Sequence, residues 1–150
     1  MKKLAAVISA TILATGLTAA AIAQDGKAQI EAVMTDYLKY WNAHDAKYIT
    51  ANIYRLPPEH RWATEGGLKA EFDRLKSQGY SHSDTQGIRG CITGADTGQV
   101  ELRFTRLKTD GTFMPPKDRL SIYSLKKFPD GWRVTGMAGG DPIKGMDCPA

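Results

Sequence analysis

The chain has 150 residues, with 20 Lys and Arg against 16 Asp and Glu, and a formal net charge of +4 at pH 7. This length predicts one ordinary domain that can bury a hydrophobic core. Charges of both signs are mixed along the sequence, which argues against a basic face for nucleic acid, so we predict no nucleic-acid partner.

The N-terminus has the layout of a cleavable signal peptide. Lys2-Lys3 precedes a mostly apolar stretch over residues 4–17, and Ala21-Ile22-Ala23 forms the small-x-small site that signal peptidase requires. We predict cleavage after Ala23, bacterial export to the periplasm or beyond, and a mature domain over residues 24–150 with no stable membrane span. The alternative is an uncleaved anchor, because this apolar segment is about long enough to cross a bilayer.

The first helix of the mature domain is predicted from its apolar spacing. Five residues fall on one face at helical intervals: Ile30, Val33, Met34, Tyr37 and Trp41. Asp25 is placed to cap the start of this helix. The helix is predicted to end at Asn42-Ala43-His44-Asp45, where a new N-cap follows.

Two shorter helices and then strands are predicted downstream. A short helix with Ile49 and Ile53 inward ends at Pro57-Pro58, and a third helix begins after Thr64 and ends at Gly79. The apolar period then changes to two, which predicts four strands: a polar run over 80–93, then strands over 100–105 and 119–127, and a last strand from Trp132. Helices followed by an antiparallel meander predict an α+β fold.

Cys91 and Cys148 are the two cysteines of the chain. In an oxidising compartment such a pair predicts a disulfide that ties the C-terminal tail to the middle of the chain. The bond requires a Cα separation below about 7 Å, and two free thiols are the alternative. The spacing fits neither a CxxC redox pair nor a zinc site.

Two segments resemble the NTF2-like superfamily, which includes ketosteroid isomerase and the SnoaL-type cyclases. Asp36-Tyr37-Leu38-Lys39-Tyr40-Trp41-Asn42-Ala43-His44-Asp45 looks like the end of that family's first helix, and Phe128-Pro129-Asp130-Gly131-Trp132-Arg133-Val134 is similar to its closing hairpin. The resemblance implies a cone in which three N-terminal helices pack on a curved antiparallel sheet, with a pocket between the two layers.

The resemblance also implies where the groups of ketosteroid isomerase would lie. Tyr37 falls at the place of the helix 1 tyrosine that donates to the substrate oxygen. A carboxylate base would be expected near His60-Arg61-Trp62, and a protonated aspartate around Tyr123-Ser124. The sequence has neither aspartate, only Glu59 and His60 nearby. The chemistry needs a base and two donors, so that activity is not carried over.

Aromatic residues could instead line a binding cavity. Those singled out are Tyr37, Trp41, Tyr54, Trp62, Tyr123 and Trp132. With polar groups from His60, Arg61 and Arg103, such a cavity would suit a flat apolar or aromatic ligand that carries one anionic or carbonyl group. The alternative is that most of these rings only fill the core.

Two function classes remain open from the sequence. The first is a small-molecule-binding or accessory domain, with a possible homodimer through an exposed sheet face carrying Arg103, Thr105 and Tyr123. The second is a proton-transfer enzyme, of isomerase or dehydratase type, that uses Tyr37 with His60 or Glu59. We predict no cofactor, and no metal site because the histidines lack metal-ligand spacing.

Overall fold

Helices precede strands, in the order predicted. The computed structural model describes residues 16–148. Its elements are α1 (Gly16–Asn42), α2 (Ala46–Tyr48), a π-helical turn (Ile49–Ile53), α3 (Glu65–Ser77), β1 (Tyr80–Ile92), β2 (Thr97–Lys108), β3 (Arg119–Phe128) and β4 (Gly131–Gly140). The predicted α+β fold, with helices on a curved antiparallel sheet, is confirmed.

Helix α1 begins inside the predicted signal peptide and runs through the predicted cleavage site. The Lys2-Lys3 start and most of the apolar stretch lie outside the described residues. The prediction that Asp25 caps the helix is wrong for this chain, because alanine-rich residues 18–23 continue the helix toward the N-terminus. The Asp25 carboxylate instead accepts a hydrogen bond from Gln29 Nε2 at 2.7 Å. Within residues 16–148, no helix has the length and apolar character that a membrane crossing needs.

One face of α1 packs directly on the sheet. Ile30 and Met34 are fully buried there, as the helical spacing predicted. The close approach requires two glycines of the sheet, since a Cβ at Gly90 or Gly98 would lie 3.1 or 3.0 Å from Ile30 Cδ1. Larger residues at these positions would push α1 away from the strands.

The sheet is a meander in which β1, β2, β3 and β4 pair antiparallel in chain order. Register shifts occur in β1 between Thr85 and Gly87 and in β4 between Val134 and Gly136, opposite Ser124 and Leu125 of β3. Such bulges bend a strand and raise its twist, which curls the sheet around the helices. The outer edge of β4 is extended by Tyr54, which forms a parallel bridge with Val134.

Residues 141–148 fold back over the sheet face opposite the helices, and we call them the C-terminal strap. Cys148 is joined to Cys91 by a disulfide with a Cα separation of 5.7 Å, so the predicted pairing is present. The carboxylate of Glu101, which is 4% exposed, accepts hydrogen bonds from Arg103 Nε at 2.6 Å and from Met146 N at 2.5 Å. The strap is therefore fixed by a covalent bond and by a buried carboxylate.

The C-terminal strap covers part of the sheet face that was predicted to be exposed. Thr105 is 2% exposed and Tyr123 is 4% exposed, and Tyr123 lies on the helix-facing side of β3. Arg103 donates from Nη1 to the Pro142 carbonyl at 2.6 Å. The expectation that these three residues form one open surface is wrong, because the tail returns over β2 and Tyr123 alternates to the other face. The homodimer itself stays a prediction.

Candidate functional site

A cavity of about 250 Å³ lies between the helices and the concave face of the sheet. Five aromatic rings form much of its wall: Tyr37, Trp41, Trp62, Phe104 and Tyr123. Leu38, Leu102 and Met137 add aliphatic surface, and the polar side chains around it are His60, Arg61, Ser83, Arg106 and Ser121. Strands β2, β3 and β4, with Ser83 of β1, supply one wall, while α1 and the segment before α3 supply the other.

Most of the residues predicted for the cavity line it. Tyr37, Trp41, Trp62 and Tyr123 do so, together with His60. Tyr54 does not line the cavity but lies behind it, with its ring 5.9 Å from that of Tyr37.

Three other predicted residues lie elsewhere. Glu59 is solvent-exposed and outside the lining. Trp132 donates from Nε1 to Gln29 Oε1 at 3.0 Å, at the middle of α1 and outside the cavity lining. Arg103 lies under the C-terminal strap, on the opposite face of the sheet. The structure thus separates these three side chains from the aromatic cavity.

Arg106, which the sequence interpretation missed, lies where Arg103 was expected. Along β2, Leu102, Phe104 and Arg106 share the concave face, while Glu101 and Arg103 point to the other. The two-residue period of a strand was the signal that could have identified it. Continuing the alternation past Phe104 would have assigned Arg106 to the cavity and Arg103 to the opposite surface.

Three buried tyrosines, Tyr37, Tyr54 and Tyr123, pack together at the back of the cavity. Tyr123 donates to the Tyr37 hydroxyl at 3.3 Å, and the two rings are 5.3 Å apart. Burial, followed by the neighbouring tyrosines Tyr123 and Tyr54, raises the pKa of Tyr37 well above its ordinary value. Burial likewise raises the pKa of Tyr54 and Tyr123. These hydroxyls therefore stay protonated at neutral pH and can donate hydrogen bonds.

A chain of polar contacts holds the Trp41 ring against the cavity. Trp41 Nε1 donates to the Tyr80 hydroxyl at 2.9 Å, and that hydroxyl lies 2.8 Å from Ser83 Oγ. Ser83 is fixed in turn by Asn42, which bonds its backbone N–H and carbonyl at 2.9 and 3.0 Å. The end of α1 and the start of β1 are thereby joined, and the buried indole N–H is satisfied.

The segment before α3 carries His60, Arg61 and Trp62 into the wall. His60 Nδ1 accepts a hydrogen bond from Trp62 N at 3.1 Å, so in the neutral ring the proton is on Nε2. Arg61 lies over the Trp62 ring, 5.0 Å from its centroid. The segment ends at Thr64, whose hydroxyl accepts from Gly67 N at 3.1 Å, so the predicted start of α3 is confirmed.

Gly67→Ala should lower the free energy of unfolding by roughly 1–3 kcal/mol. A Cβ at this position would overlap the carbonyl oxygen of Arg61, and the segment that forms the cavity wall would have to move. Gly66→Ala is the matched control, because a Cβ there meets nothing within 4 Å and should stabilise the helix by up to about 1 kcal/mol. Urea unfolding of both variants checks the prediction, and equal shifts of the same sign would contradict it.

Two buried donors that line the cavity have no hydrogen-bond partner among residues 16–148: Trp62 Nε1 and Arg106 Nε. They come from different elements but line the same cavity. Buried donors in folded proteins are nearly always paired, so each of these needs an acceptor that the described chain does not supply.

Three helices packed on a curved four-stranded antiparallel sheet form the NTF2-like fold. The family model described as NTF2-like protein (DUF6841) matches residues 24–142. The chain therefore belongs to this NTF2-like family. Among curated proteins, none matches the chain.

Solved structures with the same fold come from several bacteria. An NTF2-like protein with a cystatin-like fold from Novosphingobium aromaticivorans is 15% identical with a TM-score of 0.62, and the match covers 83% of this chain and 87% of that one. An NTF2-like superfamily protein from Salmonella enterica is 15% identical with a TM-score of 0.55, covering 85% and 95%. A ketosteroid isomerase-like protein from Erwinia carotovora atroseptica is 18% identical with a TM-score of 0.51, covering 73% and 91%. At these identities the likeness concerns the fold alone.

Proposed function

We propose that this chain is an exported small-molecule-binding domain whose aromatic cavity holds a small, flat, apolar ligand. The observation that carries the proposal is the cavity of about 250 Å³ walled by five aromatic rings. An apolar protein cavity of about 150 Å³ is enough to bind benzene. The space here would accept one aromatic ring with a substituent, and the surrounding rings provide flat contact surfaces.

Three observations favour binding over the proton-transfer alternative. That alternative needs a base beside Tyr37. Glu59, one candidate base, is exposed and away from the cavity lining. His60, the other, already uses its Nδ1 lone pair to accept from Trp62 N. The buried tyrosines of the cavity remain donors, because burial raises their pKa. These groups can hold an acceptor on a ligand without reacting with it.

Filling the cavity should weaken ligand binding without unfolding the protein. Ser121 lines the cavity on β3 and is half-buried, so Ser121→Phe would occupy ligand space and weaken binding roughly tenfold or more. The matched control is Ser124→Phe, because Ser124 is a half-buried serine of the same strand whose side chain alternates to the opposite face.

Calorimetric titration with one-ring and two-ring aromatic compounds measures ligand binding by the parent chain and both variants. Native mass spectrometry of the gently purified protein shows whether a ligand is already bound. Loss of binding in Ser121→Phe but not in Ser124→Phe would support the proposal. A protein that takes up none of these compounds, or binds them equally in both variants, would contradict it. The same mass spectra report the dimer content, which tests the predicted homodimer.

A further inference from the structure

We propose that the ligand of this cavity is a small aromatic monocarboxylate and that Arg106 binds its carboxylate. The inference rests on the proposed binding function and names the chemical class of ligand. It follows from a cation that has no ion-pair partner among residues 16–148, from the charges around it, and from a second unpaired donor in the opposite wall of the cavity.

The first observation is the state of the Arg106 guanidinium. Arg106 is half-buried in the cavity wall, and its Nε is buried without a hydrogen-bond partner in the described part of the chain. None of the ion pairs found among residues 16–148 includes it. Its Cζ lies 5.7 and 5.8 Å from the Phe104 and Tyr80 ring centroids. Aromatic faces attract a guanidinium but do not accept its N–H bonds with the strength of a carboxylate.

The second observation is the charge balance around Arg106. The carboxylate of Glu71, which is 5% exposed, is already bound by Arg74, whose Nη2 and Nε donate at 2.6 and 2.9 Å. Burial raises the pKa of Glu71, but the hydrogen bonds and charge of Arg74, and then the charges of Arg61 and Arg106, lower it overall, although Arg106 forms no ion pair with Glu71. Arg61 adds a weaker contact to Glu71 at 3.8 Å. On the other side, burial and then the charge of Arg106 lower the pKa of Arg119. This end of the cavity therefore has more guanidinium groups than carboxylates, and a bound anion would relieve the repulsion.

The third observation is the Trp62 indole. Its Nε1–H is a second buried donor without a partner in the described chain, and it lines the same cavity from the opposite layer. A carboxylate has two oxygens and can accept from an arginine and from a further donor at once. A neutral carbonyl offers one oxygen and no charge, so it would add no negative charge beside Arg106.

The remaining walls define the other end of the ligand. Tyr37, Trp41, Tyr123 and the aliphatic side chains offer a flat apolar space. The cavity volume of about 250 Å³ leaves room for one ring, or for two compact rings, beside the carboxylate. An aromatic monocarboxylate matches both halves of the site.

The experiment compares acids with their neutral amides of the same shape. Calorimetry measures the binding of three acid–amide pairs to the purified full chain: benzoate with benzamide, phenylacetate with phenylacetamide, and 2-naphthoate with 2-naphthamide. We expect the best carboxylate to bind roughly 10- to 100-fold more tightly than its amide. In Arg106→Gln this preference should fall to about twofold or less, while amide binding stays near the parent value.

Two further variants complete the test. Lys126→Gln removes one positive charge from an exposed site that does not line the cavity, and it should keep the full preference for carboxylates. Arg106→Lys keeps the charge but loses the planar fork, so its preference should lie between those of the parent and Arg106→Gln. Arg106→Lys also tests the role of Arg106 if Arg106→Gln does not fold.

The outcomes separate the two proposals. A carboxylate preference that depends on Arg106 and not on Lys126 supports the inference. Acids and amides that bind equally well, or a preference that survives in both Arg106 variants, would overturn the carboxylate assignment while leaving the binding cavity intact. A chain that binds no compound of either kind would overturn both the assignment and the proposed function.

Discussion

Reducing the Cys91–Cys148 disulfide should lower the free energy of unfolding by about 4 kcal/mol. The two cysteines are separated by 57 residues, and the bond removes the closure entropy of this long loop from the unfolded state. Cys148→Ser should give the same loss, since Cys148 is exposed and serine adds no buried polar group there. Urea unfolding followed by circular dichroism, with and without a reductant, measures both effects.

The cysteine variant is its own control for the reductant. Cys148→Ser should unfold at the same urea concentration whether or not reductant is present, while the parent chain should shift. If reduction leaves the unfolding midpoint of the parent unchanged, the bond does not constrain the unfolded chain as expected. Cys91 is less suitable for substitution, because it is 6% exposed and serine would bury a hydroxyl.

Glu101→Gln should lower the free energy of unfolding by roughly 2 kcal/mol. The Glu101 carboxylate accepts from Arg89 Nη2 at 3.0 Å, from Arg103 Nε at 2.6 Å and from Met146 N at 2.5 Å. Glutamine keeps the size of the side chain but loses the charge and one acceptor oxygen. The loss is moderate rather than large because both arginine side chains keep contact with solvent.

The contribution of Glu101 to the free energy of unfolding should also depend on pH. Burial alone would raise the pKa of this carboxyl, but hydrogen bonds from Met146 N, Arg89 and Arg103 outweigh burial and hold the pKa below its ordinary value. The stabilisation is therefore complete above the unfolded-state pKa, which is about 4.3, and disappears as pH falls through the folded-state value. The stability difference between the parent and Glu101→Gln should be largest near neutral pH and shrink in acid.

Glu59→Gln is the matched control for this titration. Glu59 is an exposed carboxylate outside both the cavity lining and the C-terminal strap, so its replacement should change stability little at any pH. Urea unfolding at a series of pH values compares the three proteins. A Glu101→Gln curve that runs parallel to the parent curve down into acid would contradict the role assigned to Glu101.

Local sequence patterns predicted the helices and the strand order because the forces involved are local. The face of α1 follows from helical spacing, and the start of α3 follows from Thr64, whose hydroxyl accepts from a backbone N–H three residues away. The first strand was hard to interpret, since its register shift between Thr85 and Gly87 breaks the two-residue alternation. Asp25 failed as a cap because the residues before it also favour a helix.

The sequence predicted the aromatic residues of the cavity better than its polar residues. Tyr37 and Trp41 are on the buried face of a clear helix, which leads directly to the cavity. Arg103 was chosen over Arg106 although the alternation of β2 favoured Arg106. Glu101 had no local signal at all, since its alternation predicts a solvated side chain and its partner Met146 comes 45 residues later. Glu101 is buried because the C-terminal strap folds back over β2, and short sequence patterns do not predict such a long-range contact.

The disulfide also has a mechanical consequence for the cavity. The covalent ring that it closes contains β2, β3, β4 and the C-terminal strap, whereas α1, α2, α3 and most of β1 lie outside the ring. Leu102 and Tyr123 therefore belong to a wall that is tied into a closed loop, while Tyr37 and Trp62 belong to a wall held only by packing and hydrogen bonds. Local opening would separate the helical wall from the sheet and leave the ring closed. We expect small molecules to enter and leave through movements of that wall.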